Sequence, residues 1–184
     1  MLYGHDRQHA QNAAVDLASF VDELEANQDI AHIHIIAHSM GAYAFCMALL
    51  QHKADAGKSY TKISDVTFAA PDVAVDQLQT SFDTLLQHTT KAITVYVSSK
   101  DVAMQGSIQW NGSRPLGDGV PPLFLLLGYA FVDASGVDTD FLGHGYFVDQ
   151  DAILNDMART FNGEAYPRPL VHPLQQSGIT YYTF

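Results

Sequence analysis

Ser39, Asp72, Asp101 and His144 are the residues whose types and spacing suit nucleophilic chemistry, because each follows a run that reads as a β-strand. Ser39 lies within Ala37-His38-Ser39-Met40-Gly41-Ala42. A β-branched run (Ile33, Ile35, Ile36) precedes that stretch, and an apolar helical run (Ala42, Phe45, Cys46, Leu49, Leu50) follows it. A strand that turns sharply into a helix at a serine is the nucleophile-elbow pattern, which needs small neighbours around the strained turn. Ala37, Gly41 and Ala42 are small, with Ala37 standing where a glycine is usual. The helix start turns its N–H groups and positive dipole end toward the oxyanion that serine attack creates. Met40 supplies the one such donor that belongs to the motif itself.

A serine at its free pKa is a weak nucleophile; it needs a base, and the base needs an orienting carboxylate. On elbows of this kind the acid and then the histidine follow the serine in the chain. His144, in the glycine-flanked Leu142-Gly143-His144-Gly145-Tyr146, is the expected base. Asp101, ending the short Ser98-Ser99-Lys100-Asp101 loop, is the expected acid. Asp72, just past Pro71, is the alternative acid, with a helix-capping role as its ordinary explanation. Asp133, Asp138 and Asp140 share the strand or loop of His144 and are passed over. Among the other histidines, His38 is expected to pack beside the elbow and His32 and His34 to meet flanking helices. His88 and His172 have no helpful context. His5 and His9 have a metal-ligand spacing on a helix but no third ligand nearby, so they read as exposed polar residues.

The elements that must hold these residues alternate. Asp6 is the expected N-cap of a first helix to about Ala26, with Ala13, Leu17, Phe20, Val21 and Leu24 as its apolar stripe. After the elbow strand and helix come a polar loop from Lys53 to Tyr60 and a strand from Ile63 to Ala70. A helix from Val75 to His88 (Leu78, Phe82, Leu85 and Leu86 on one face) and a strand from Ala92 to Ser98 follow. Val102 to Pro122 reads as a variable region, and its Asn111-Gly112-Ser113 as a turn. A fourth strand is expected near Tyr129 to Asp133, then a loop from Gly136 to Gly145. A last helix runs from about Asp149 to Phe161, with Ile153, Leu154, Met157 and Phe161 inward, and stops at Asn162-Gly163. The tail has no clear period. Strands alternating with helices imply a parallel sheet whose ligands bind at the carboxyl ends of the strands. The Leu123–Leu127 run reads as core or as the wall of an acyl pocket, with Trp110 and Met104 as further candidates for that wall.

The 184 residues fit one domain with one sizeable core, and 47% hydrophobic with 16% charged residues is ordinary globular composition. A net charge of −11 argues against nucleic acid or an anionic membrane as the main partner. Cys46 is the only cysteine, so no internal disulfide can form; it reads as a small core residue. The opening MLYGHDRQHAQ lacks an apolar signal core, and the Val120–Val132 run is too short to span a bilayer. The expectation is a cytoplasmic protein without a membrane span.

The chain resembles the bacterial esterase/lipase-like α/β-hydrolases catalogued as domain of unknown function 900. The resemblance rests on motifs in order: YGHDRQHA, IIAHSMGAYAF, FAAPDV, VYVSSKDVAMQGS, RPLG, FVDAS, LGHGYF and a late RPL. It implies Ser39 as nucleophile, Asp101 as acid, His144 as base, ester hydrolysis, and no metal or organic cofactor. It also implies several strands and a second oxyanion-donor loop ahead of the helix that leads into the elbow strand, and this sequence is expected to start downstream of them. The expected fold is therefore α/β: a partial α/β-hydrolase, with a mostly parallel sheet of about four strands flanked by helices and the N-terminal strands missing. Residues 1–184 then form the C-terminal portion of such a domain, with the Ile33–Ile36 strand at a sheet edge. Two functions follow. One is a serine hydrolase acting on small carboxylic esters through an acyl-enzyme. The other is a non-catalytic remnant or partner-completed subunit, pairing at the Ile33–Ile36 edge with a second copy or an N-terminal segment.

Overall fold

The computed structural model describes residues 2–54, 60–137 and 144–184. The chain opens with α1 (Leu2–Ala26), then β1 (Ile33–His38) and α2 (Met40–Ala54). Asp6 therefore lies inside the first helix and does not cap it. The buried stripe of α1 is Ala14, Ala18 and Val21 with Leu17 and Leu24 partly covered, while Phe20 is 55% exposed and Ala13 is also exposed. The expected stripe is thus rotated, because Ala14 and Ala18 let α1 approach Ala48 of α2 closely. At its other end α1 is tied to the sheet through Glu25, whose carboxylate accepts from the backbone N–H groups of Thr61 and Lys62.

β2 (Ile63–Ala69) leads to a helical segment made of α3 (Val75–Gln77), a π-helical turn (Leu78–Phe82) and α4 (Asp83–Thr89). Leu78, Phe82 and Leu86 carry its buried face, as their spacing predicts. β3 (Ala92–Val97) follows, then α5 (Val102–Asn111) in the region read as variable. The signal for α5 was Asp101 itself: its carboxylate accepts from Met104 N at 3.0 Å as an N-cap. Gly112 closes the helix with φ +64°, which fits the expected turn at Asn111-Gly112-Ser113.

β4 (Tyr129–Asp133), α6 (Tyr146–Asp149) and α7 (Asp151–Phe161) come next, with Ile153 and Met157 buried. Leu154 is exposed instead of inward. The tail read as aperiodic forms a hairpin, β5 (His172–Gln176) and β6 (Ile179–Thr183). Its turn, Ser177-Gly178, has φ of +53° and +81°, and positive φ at both central residues suits a two-residue hairpin turn.

Among the described residues the sheet has six strands in the order β1-β2-β3-β4-β6-β5, not about four. All its pairings are parallel except β5 with β6. Successive residues of the central strands enter different cores: Phe68, Val95 and Phe131 join the cluster under α1, α2 and α4, whereas Ala69, Tyr96 and Val132 join that under α7. Both faces are covered, as a parallel sheet requires. β1 is the edge strand, and its Ile36 is 49% exposed. The Leu123–Leu126 stretch packs on the larger core. Met104 is buried at 1% exposure while Trp110 is 61% exposed, so these two do not share a wall. Among the described residues no helix is long and apolar enough to cross a membrane.

Candidate active site

Ser39 occupies the one-residue junction between β1 and α2 with φ +52°. That conformation is uncommon for a residue with a Cβ and costs on the order of 1 kcal/mol, so its surroundings must enforce it. They do so through the backbone. Ser39 N–H donates to Ala69 O at 3.1 Å, and Ser39 O accepts from Ala42 N–H at 3.1 Å and Asp72 N–H at 3.0 Å. Ala37 and Ala42 are buried, and their small side chains fit the close packing around the turn. Gly41 differs: a Cβ there would meet nothing within 4 Å. Met40 opens α2, and the first N–H groups of a helix have no partner within it.

His144 reaches the elbow from the far side of the sheet sequence. Its Nε2 lies 2.9 Å from Ser39 Oγ, and its Nδ1 lies 2.9 and 3.1 Å from the two carboxylate oxygens of Asp101. A carboxylate facing Nδ1 accepts its proton, so in the neutral ring Nε2 is left with a lone pair toward the serine hydroxyl. Asp101 is fully covered as a side chain, whereas His144 keeps 25% exposure, leaving the imidazole reachable from solvent. The cap that Asp101 forms on α5 uses the same Oδ1 that faces His144, so starting the helix and aiming the carboxylate are one geometric event.

Asp72 stands elsewhere. Its Oδ2 accepts from Tyr3 OH at 2.7 Å and its Oδ1 from Ser107 Oγ at 2.5 Å. Together with its N–H to Ser39 O, it braces the elbow between the start of α1 and the middle of α5. The other strand-end loops are laced in a similar way. Ser135 Oγ donates to Asp133 Oδ1 and accepts from Ser99 N–H at 2.8 Å, which joins the turns after β3 and β4. Asp133 thus serves a turn. Gly117 and Gly119 press on the ends of β2 and β3: a Cβ would fall 2.6 Å from Ala70 C or 2.5 Å from Ser98 C. Tyr3, Ser107, Ser135 and these glycines lie in quoted motifs (YGHDRQHA, VYVSSKDVAMQGS, FVDAS) or at RPLG and just past it, but their pairing across the fold has no local signature.

The remaining histidines are spread out. His34 Nδ1 lies 2.5 Å from Asp65 Oδ2, with its ring against Phe161 of α7, and His32 Nδ1 meets Ser64 Oγ at 3.0 Å. His88 Nδ1 bonds Thr84 O within its helix, and His172 begins β5. His5 and His9 are exposed on α1, and among the described residues no three His, Cys, Asp or Glu gather as metal ligands. Asp138 and Asp140 lie outside the described residues.

A protein-family model described as "Alpha/beta hydrolase of unknown function (DUF900)" matches residues 1–160. No curated protein and no solved structure matches the chain.

Proposed function

Because the chain belongs to this family of alpha/beta hydrolases, we propose that it is a serine hydrolase of small carboxylic esters working through an acyl-enzyme. The observation that carries the reading is the unbroken line of contacts Ser39 Oγ, His144 Nε2, His144 Nδ1 and Asp101. Ser39 Oγ attacks the ester carbonyl while His144 Nε2 takes its proton, and Asp101 steadies the imidazolium that forms. Met40 N–H faces the developing oxyanion; one such donor is worth roughly 100- to 1000-fold in rate. Collapse of the tetrahedral species expels the alcohol, which receives the proton from His144. Water, deprotonated by the same imidazole, then attacks the acyl-Ser39 ester; the acyl–Oγ bond breaks, the acid leaves, and His144 returns the proton to Ser39 Oγ.

The test is labelling by a fluorophosphonate, which reports an activated serine without knowledge of the substrate. The parent is expected to label, and Ser39→Ala to abolish labelling. His144→Ala should slow it by about 1000-fold or more, since members of such a unit fail nearly as completely alone as together. A folded parent that stays unlabelled would sink the reading.

A second reading is a partner-completed subunit, favoured by the place of β1 at the sheet edge with its own Ile36 and the neighbouring Phe20 of α1 half exposed. An apolar edge strand invites a further strand.

A further inference from the structure

His38 immediately precedes Ser39, and on a sharp turn neighbouring side chains diverge. Its imidazole therefore leaves the elbow on a path of its own, and the structure shows where it goes. The ring lies beside the candidate base and a residue just after it, 4.6 Å from the His144 ring and stacked 4.2 Å from that of Phe147. Its Nε2 is 3.1 Å from the backbone oxygen of His144. A carbonyl can only accept, so Nε2 carries the proton. Burial, and then the neighbouring His144, push the His38 pKa below the usual histidine value. The hydrogen bond to His144 O and the Asp101 charge act against this but do not outweigh it. The ring is thus held neutral beside a base that must itself become charged.

Taken with the contacts to Ser39 and Asp101, this grips His144 at three places: both ring nitrogens and the backbone oxygen. A bond to the backbone oxygen adds a constraint that the ring contacts do not supply, and a shift of about 1 Å in a reacting group costs on the order of 100-fold in rate. We propose that His38 is a positioning residue for the base: its Nε2–H anchors the His144 backbone and keeps the imidazole between Ser39 and Asp101. The proposal rests on the reading of His144 as general base. It makes the residue before the nucleophile the link that fixes the base relative to the serine.

The discriminating substitutions separate donation from packing. In His38→Gln the side-chain amide places an N–H near the Nε2 position but gives up the aromatic ring. His38→Phe and His38→Leu fill the space and donate nothing. Fluorophosphonate labelling rates are compared for these three and the parent, each checked for folding by thermal melt. The readout independent of activity is the downfield proton resonance of His144 Nδ1–H against Asp101, identified by its loss in His144→Ala. His38→Gln is expected to label within about threefold of the parent and keep the resonance. His38→Phe and His38→Leu should label about 10- to 100-fold more slowly and broaden or lose it. A folded His38→Phe or His38→Leu with parental rate and resonance would overturn the proposal, and so would equal losses in His38→Gln and His38→Phe. If the parent itself does not label, the hydrolase reading falls. The resonance comparison then decides the positioning role by the same ordering of variants.

Discussion

At the scale of single residues, the two aspartates that follow strands divide the labour. Asp101 faces the imidazole of His144, while Asp72 faces two hydroxyl groups and supports the carbonyl of Ser39 through its own N–H. Asn in place of each should separate the roles. Asp101→Asn puts an amide where Nδ1–H needs an acceptor, favouring the wrong tautomer, and labelling should fall about 10³- to 10⁴-fold. Asp72→Asn keeps the backbone N–H to Ser39 O but removes one of two buried acceptors. Stability should drop by about 1–3 kcal/mol, with labelling within about tenfold of the parent. Urea unfolding and probe labelling on the same preparations check both. The opposite ranking would make Asp72 the acid.

At the scale of elements, the loop from Arg114 to Pro122 sets how closely the strand ends can be laced. Arg114 binds the backbone oxygens of Asp118, Val120 and Pro122 as well as the Asp118 carboxylate, which folds the loop onto itself. Gly117 then lies against the backbone of Ala70 and Pro71, next to Asp72. A methyl group there meets main chain, which cannot rotate away. Gly117→Ala is expected to destabilise by about 1–3 kcal/mol. Gly106, inside α5, has nothing within 4 Å of an added Cβ. Gly106→Ala should therefore stabilise by about 0.5–1 kcal/mol through helix propensity. Denaturant midpoints of the two variants are expected to move in opposite directions.

At the scale of the whole molecule, the sheet ends among the described residues in β1, which pairs only with β2 and leads into Ser39, the proposed nucleophile. The trough beside it holds about 280 Å³ and is lined by Leu17, Phe20, Ile35 and Ile36 among others, with His38 and Gly41 at its elbow end. If this edge pairs in solution, the parent should associate with rising concentration in sedimentation velocity. Ile36→Lys, a charge placed on an exposed edge, should suppress that association. A parent that sediments as a monomer across the range tells against self-pairing.

The sequence by itself determined the strand–elbow–helix unit, the parallel β/α alternation and the set of strand-end residues Ser39, Asp72, Asp101 and His144. Each is written in local patterning: β-branched runs, helical spacing, small residues about a turn. The β5–β6 hairpin escaped because its alternation is short and its turn is Ser-Gly, though the two positive-φ positions were legible in principle. The rotated face of α1 escaped because two alanines outweigh Phe20 when a neighbouring helix must come close. Only the tertiary structure decided which aspartate faces His144, where His38 points, and that Tyr3, Ser107 and Ser135 lace the strand ends together. Those contacts join residues 35 to 106 positions apart. The side chain of a polar residue carries no record of its distant partner until packing of the sheet and helices brings the two within hydrogen-bond reach.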